Sequence, residues 1–169
     1  GVLLAGDIYD KSIPSGEAVQ LLDSFLTALS NLQIPVYMIS GNHDSGERLA
    51  FGAKLFEKSG LHMESIYKGC LKPIVLQDEY GPLNLYMLPF VKPVNVRRFL
   101  ERSEDMDEDI SESEIENTTI KTYHDAVERV LEEASVDASA RNLLVAHQFV
   151  TGASKSGSES VSVGGVDNV

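Results

Sequence analysis

Cysteine and tryptophan are scarce in this sequence: its 169 residues include one cysteine, Cys70, and no tryptophan. A lone cysteine cannot form an internal disulfide, and a chain of this length can bury a sizeable core without one. We therefore expect Cys70 to be an interior small hydrophobe, and the protein to work in a reducing, cytoplasmic compartment.

Long hydrophobic runs and basic residues are also scarce. The longest uncharged window, residues 24–42, carries several polar side chains and Pro35, so we do not expect it to insert into a membrane as a helix. Lys and Arg number 14 against 26 Asp and Glu, and this net charge of −12 argues against a simple electrostatic nucleic-acid binder. Acidic residues are concentrated in residues 101–116, which we interpret as a solvated loop or an approach to a helix.

Short apolar runs alternate with helical periodicity, a pattern that predicts an α/β fold with sheets flanked by helices. Buried strands are predicted at residues 2–5, 35–39 and 142–146, and helices at 17–32, 47–59, 93–102 and 115–134. The stretch 61–89 is predicted to form two or three antiparallel strands, including 72–77 and 84–88. No interior boundary is visible, so we predict one domain over residues 1–169. Because the sequence begins inside an apolar run and ends just after a turn signal, we expect a segment of a longer protein.

Polar side chains follow each of the three predicted buried strands. The first strand leads into Asp7, the second into Asn42 and His43, and the third into His147. Ligand sites of open α/β sheets lie beyond the carboxyl ends of strands, so these side chains are expected to meet in one crevice. Carboxylate, amide and imidazole groups suit manganese, iron or zinc. Taken singly, a strand-end Asp is usually a cap and a lone His is usually structural; the combination favours a metal site.

These residues resemble a known family. Gly-Asp-Ile-Tyr-Asp at residues 6–10, Gly-Asn-His-Asp at 41–44 and an isolated His147 after a strand are similar to the core motifs of the calcineurin-like metallophosphoesterases. The flanking residues, at 11–19, 45–49 and 148–152, resemble more closely the SbcD-type nucleases of that family. The resemblance implies a metallophosphoesterase-type sandwich of mixed β-sheets flanked by helices, here incomplete at both ends.

The resemblance also implies roles for individual residues. Asp7 is similar to the carboxylate that bridges two divalent cations, most often Mn²⁺, and Asn42 and His147 are similar to ligands of one cation. His43 resembles the catalytic histidine beside the scissile phosphate, and Asp10 resembles the residue whose carboxylate hydrogen-bonds to that histidine and orients it. Two such cations activate water for attack on phosphorus, while an imidazolium can protonate the departing oxygen.

Residues next to these motifs bear on the substrate. Arg48 follows the histidine loop and is predicted either to hold loop carbonyls or to bind a substrate phosphate. Lys11 and Ser12 stand where protein phosphatases of the family usually have Arg-Gly, which favours the nuclease interpretation. The Ser/Gly-rich loop at residues 151–165 follows His147 and would lie beside the metals.

By resemblance, the whole protein would be a double-strand DNA 3'-5' exonuclease and single-strand endonuclease. It would act on DNA ends and hairpins with an SbcC-type ABC ATPase, as a homodimer and without a membrane. The alternatives are a phosphoesterase for small phosphodiesters or phosphoproteins, and an inactive scaffold. The family's Asp-x-His and Gly-His-x-His motifs are absent here, so we expect the chain as given to bind metal weakly and to be inactive or nearly so.

Overall fold

The computed structural model describes residues 1–100, 120–152 and 169. These residues form two compact units, one from residues 1–66, 72–90 and 138–147, the other from the described residues 67–71, 91–100, 120–137, 148–152 and 169. The acidic run at 101–116 and most of the loop at 151–165 lie outside the described residues. The expectation of a single domain stays a prediction.

The chain has mixed α/β content, with two small sheets flanked by helices. The strands are β1 (Val2–Ala5), β2 (Val36–Ile39), β3 (Leu61–Glu64), β4 (Ile74–Asp78), β5 (Gly81–Leu88) and β6 (Arg141–Ala146). The helices are α1 (Gly16–Asn31), α2 (Gly46–Leu49), α3 (Ala53–Phe56), α4 (Pro93–Leu100) and α5 (Tyr123–Glu133). Within the described residues, no helix is long and apolar enough to cross a membrane.

The first sheet is parallel, with strand order β1-β2-β3. The expectation that β3 belongs to an antiparallel group is therefore wrong for this strand. Parallel neighbours need a crossover connection, and the segment between β2 and β3 supplies one in α2, α3 and the 3₁₀ turn Glu57–Ser59. The single helix predicted over 47–59 is divided because Gly52 adopts a left-handed backbone (φ 76°).

The second sheet has strand order β4-β5-β6, in which β4 and β5 are antiparallel and β5 and β6 are parallel. Only Val145 of β6 is buried, and Leu143 and Leu144 are 39% and 42% exposed. The prediction of a buried strand is wrong for β6, and for β1, whose residues are half-buried or exposed. Both are outer strands of their sheets in the described structure, so each pairs with another strand along one edge, which leaves its residues more exposed.

Strand β2 is the centre of the first unit and is buried along its whole length. Tyr37 and Ile39 pack with Leu85 and Met87 of β5, so the two sheets share one core. On the opposite face, Val36 and Met38 pack with Leu26 and Leu29 of α1 and with partly buried residues of β1. A continuous apolar strand is what burial on both faces requires. Helix α1 begins where Ser15 accepts a hydrogen bond from the Ala18 amide (3.2 Å).

The second unit contains α4 and α5, which contact each other, and each carries a fully buried valine, Val96 and Val130 respectively. Helix α5 begins at Tyr123, because Thr122 and Asp125 form a reciprocal capping box. Residues 120–122, predicted as helix, therefore precede it. The prediction of an interior Cys70 is wrong: its side chain is exposed, in an irregular segment next to Gly69.

Candidate metal centre

The turn after β1 presents the Asp7 carboxylate. Gly6 and Asp7 both have positive φ, 88° and 47°, a conformation that glycine adopts freely and aspartate tolerates. Asp7 Oδ1 accepts a hydrogen bond from the His43 backbone amide at 3.1 Å. A methyl group at Gly6 would collide with the His147 ring, so His147 packs directly on this turn.

The turn after β2 carries Asn42 and His43 and lies against the first turn. A methyl group at Gly41 would overlap both the backbone nitrogen and the carboxylate of Asp7. Glycine is therefore the residue that lets the two turns approach this closely. Buried Ser40 supports the second turn, since its hydroxyl donates to the Ser65 carbonyl (2.8 Å).

His147, directly after β6, completes the cluster. Its Nδ1 lies 2.7 Å from the Ala5 carbonyl oxygen. A carbonyl only accepts hydrogen bonds, so Nδ1 carries the proton, and Nε2 of the neutral ring has a lone pair. This Nε2 lies 3.1 Å from Asn42 Oδ1 and 3.5 Å from Asp7 Oδ1. The structure thus brings together the three side chains that the sequence predicted to converge.

Three electron-pair donors facing one point repel one another unless a positive charge lies among them. Asn42 directs its oxygen at His147 Nε2, so the three side chains offer oxygen and nitrogen donor atoms of the kind that bind divalent cations. Adjacent ligands about 2.1 Å from a cation lie about 3.0 Å apart in an octahedron and about 3.4 Å in a tetrahedron. The distances of 3.1 and 3.5 Å fit a shared cation. The side chains of His147 and Asp7 are 27% and 34% exposed, so the site is accessible from solvent.

The donor set for a second cation is smaller. Within the described residues, no group of three or more His, Cys, Asp or Glu side chains is placed to hold a metal ion. The cluster above combines Asp7 and His147 with an amide oxygen. The ligand roles of these residues, and the bridging role of Asp7, stay predictions.

His43 lies beside the cluster, and its ring is held differently from the expectation. Its Nδ1 lies 3.0 Å from the backbone carbonyl oxygen of Asp10, and the acceptor is therefore the main chain, not the predicted carboxylate. Because a carbonyl only accepts, Nδ1 carries a proton, and the other nitrogen, Nε2, is left for substrate chemistry. The His43 side chain is exposed.

Arg48 contacts a different loop from the histidine loop whose carbonyls it was expected to hold. Its Nη1 donates to the Ser12 carbonyl oxygen at 2.9 Å, so it holds the loop that follows Asp10. Binding of a substrate phosphate by Arg48 stays a prediction.

Asp44 has a structural role that the sequence did not indicate. Its carboxylate accepts hydrogen bonds from the backbone amides of Ile8, Tyr9 and Gly41 at 3.0, 2.9 and 2.8 Å. The pKa of the Tyr9 phenol is raised, mainly by burial and secondly by the nearby charge of Asp44. The only sequence signal for Asp44 was its place in the Gly-Asn-His-Asp motif, which does not reveal a partner in the main chain.

This donor set agrees with the family to which the sequence is similar. The family model described as calcineurin-like phosphoesterase matches residues 1–161. The chain belongs to the calcineurin-like phosphoesterase family. Members are metal-dependent hydrolases, in agreement with the donors at Asp7, Asn42 and His147.

Two curated relatives within the family are similar over nearly the whole chain. The D component of the nuclease SbcCD from Staphylococcus saprophyticus is 32% identical over 172 aligned positions, and that from Staphylococcus epidermidis is 33% identical. The alignments cover 99% of this chain and 41% of each relative. The chain therefore spans less than half the length of these relatives.

Proposed function

We propose that this chain forms part of a metal-dependent phosphodiesterase of the SbcD type. The observation that carries the proposal is that His147 Nε2 lies 3.1 Å from Asn42 Oδ1 and 3.5 Å from Asp7 Oδ1, while the His43 amide donates to Asp7. Two divalent cations, Mn²⁺ by preference, would be held here, with Asp7 shared between them. Bound cations of this kind supply an activated water and stabilise charge on the attacking and leaving oxygens.

The chain's own residues orient the two histidine rings and protonate the leaving oxygen. His43 Nδ1 is held by the Asp10 carbonyl, which fixes the ring and directs Nε2 to the opposite side. As an imidazolium, His43 donates its Nε2 proton to the leaving oxygen as the phosphorus–oxygen bond breaks. His147 is oriented by the Ala5 carbonyl, and this contact keeps its Nε2 lone pair facing Asn42 and Asp7. Arg48 would contact a non-bridging phosphate oxygen.

The substrate proposed is DNA, cleaved 3'-5' from double-strand ends and endonucleolytically in single strands and hairpins. The support is the similarity to two nuclease components over 99% of the chain. The name SbcCD of these relatives supports an SbcC-type ABC ATPase as partner. We also propose a homodimer in the cytoplasm.

A nuclease assay separates this proposal from its alternatives. The full natural protein is incubated with Mn²⁺ and end-labelled duplex, hairpin and single-stranded DNA, and in parallel with a chromogenic phosphodiester. Cleavage of duplex ends and hairpins, abolished in Asn42→Ala, is the expected result. Hydrolysis of the diester without DNA cleavage would support a small-substrate phosphoesterase, and no hydrolysis of either would support a scaffold.

A further inference from the structure

The Asp44 carboxylate joins the two turns that carry the candidate ligands. Oδ2 accepts from the amides of Ile8 (3.0 Å) and Gly41 (2.8 Å), and Oδ1 accepts from the amide of Tyr9 (2.9 Å). Ile8 directly follows Asp7, and Gly41 directly precedes Asn42. One half-buried side chain therefore fixes backbone atoms on both sides of the centre.

The neighbouring contacts act in the same direction. The His43 ring is held by the Asp10 carbonyl, and Arg48 donates to the Ser12 carbonyl. Residues 8–12 are thus attached to residues 41–48 at successive points along the chain. The amide bonds to Asp44 lie closest to the metal ligands, and their acceptor is charged, which strengthens them relative to neutral hydrogen bonds.

We propose that Asp44 is a positioning residue, whose carboxylate sets the separation of the two turns and hence the geometry of the Asp7, Asn42 and His147 donors. The proposal rests on the proposed function. Asp44 itself is not assigned as a ligand. Its effect passes through the main chain, because moving either turn would move Asp7 or Asn42 out of coordination range.

The arrangement requires two acceptor oxygens. An asparagine at this position offers one oxygen, and its NH₂ would face an amide donor on the other side. Asp44→Asn therefore loses either the Tyr9 contact or the shared Ile8 and Gly41 contact while nearly preserving volume. Asp44→Glu keeps both oxygens on a longer stem and is expected to restore part of the function.

The matched control is Asp78, another carboxylate that joins separate strands. It accepts two hydrogen bonds from Arg141, at 2.7 and 2.8 Å, on the surface of the second sheet. Asp78→Asn removes the ion pair with Arg141, a contact between β4 and β6 that touches neither ligand turn. The control therefore shows whether loss of a carboxylate contact away from the ligand turns changes Mn²⁺ affinity.

The first test is calorimetric titration of the full natural protein with Mn²⁺. We expect the Kd of Asp44→Asn to rise about 10- to 100-fold, with Asp44→Glu between it and the wild type. Asp78→Asn should bind as the wild type does. Binding by Asp44→Asn within about twofold of the wild type would overturn the proposal, because changes to groups that orient metal ligands normally cost more.

The second test uses no metal. Hydrogen exchange in the metal-free protein should show the amides of Ile8, Tyr9 and Gly41 exchanging about 10-fold faster in Asp44→Asn, while the Val36 amide, bonded to Gly60, is unchanged. If these three amides exchanged at the same rate in the wild type and in Asp44→Asn, the proposal would be overturned, even if the variant bound Mn²⁺ more weakly. If the wild type binds no Mn²⁺, the proposed function fails, and the exchange data alone decide whether Asp44 fixes the turns. If Asp44→Asn does not fold, Asp44→Glu replaces it with the same expected directions.

Discussion

At the scale of single residues, main-chain carbonyl groups orient the two histidines of the candidate centre. His43 and His147 each direct Nδ1 at a main-chain carbonyl, Asp10 and Ala5 respectively. Both rings therefore present Nε2, one beside the cluster and the other into it. Because main-chain carbonyl groups orient the two rings, both Nε2 atoms stay available, and no second side chain is needed to hold either ring.

Replacement of His43 by alanine is expected to reduce turnover and spare cation binding. A general acid typically contributes about 10²- to 10⁴-fold to the rate, so kcat should fall within that range. The measurement is steady-state cleavage by the full natural protein, with Mn²⁺ titration of the same variant. A loss of Mn²⁺ affinity as large as that of His147→Ala would contradict the assignment of separate roles.

The side chains of the candidate site were predictable from sequence, while their main-chain partners were not. Asp7, Asn42 and His147 each follow an apolar strand, which marked them as candidates, but their meeting also depends on the packing of the two sheets, because β6 belongs to the second one. The Asp10 contact was expected from a carboxylate and is made by a carbonyl, and the Asp44 contacts were not expected at all. Main-chain donors and acceptors are the same at every residue, so a sequence pattern cannot indicate which of them will be used.

At the scale of elements, β2 organises the first unit because both its faces are covered. The bounds of β2 were predicted within one residue, and so were those of the outer strands β1 and β6. The outer strands β1 and β6 also contain apolar runs, and there composition overestimated burial. The direction of β3 depends on the crossover through α2 and α3, a long-range feature that the local pattern of 61–89 does not contain.

Truncation of core residues tests this difference between strands. Ile39→Ala in β2 removes a side chain with 0% exposure, and should cost about 2–5 kcal/mol of unfolding free energy. Leu143→Ala in β6, 39% exposed, should cost clearly less. Urea denaturation of each variant measures the difference, and equal losses would contradict the burial of β2 relative to β6.

The ion pair between β4 and β6 gives a pH-dependent contact. The hydrogen bonds from Arg141 lower the pKa of Asp78 from 3.8 to about 2. Because the folded-state pKa is below the unfolded value, the contribution of Asp78 to stability is present above about pH 4 and is lost as the pH falls towards 2. The group is exposed, so the effect should be small and should weaken with salt.

Denaturation midpoints of the wild type and Asp78→Asn between about pH 2 and pH 6 check this expectation. The wild type should exceed the variant at the upper end of this range, and the two should converge as the pH falls through the titration of Asp78. A gap that stayed constant, or widened towards low pH, would show that the carboxylate charge is not responsible.

At the scale of the whole molecule, the family and the mixed α/β architecture follow from the sequence, and the assembly does not. The chain covers 41% of its nuclease relatives, so DNA, the ATPase partner and the dimer are proposals for the full protein. The division of the described residues into two compact units reflects contacts among distant segments that no local signal encodes.

The 169-residue chain by itself is expected to bind Mn²⁺ weakly and to show little or no hydrolysis. By the predicted ligand roles, the described residues would give one cation three side chains, Asp7, Asn42 and His147, and a second cation only the shared Asp7 carboxylate. Titration of this chain, with Asp7→Ala as control, measures the affinity. Tight binding of two ions per chain would refute the expectation.

The central claim is that Asp7, Asn42 and His147 share a cation. Anomalous diffraction at the manganese edge, from crystals of the full natural protein grown with Mn²⁺, tests it most directly. The account predicts a peak about 2.0–2.5 Å from Asp7 Oδ1, Asn42 Oδ1 and His147 Nε2. A manganese ion bound by other residues, with these three side chains joined only to one another, would contradict it.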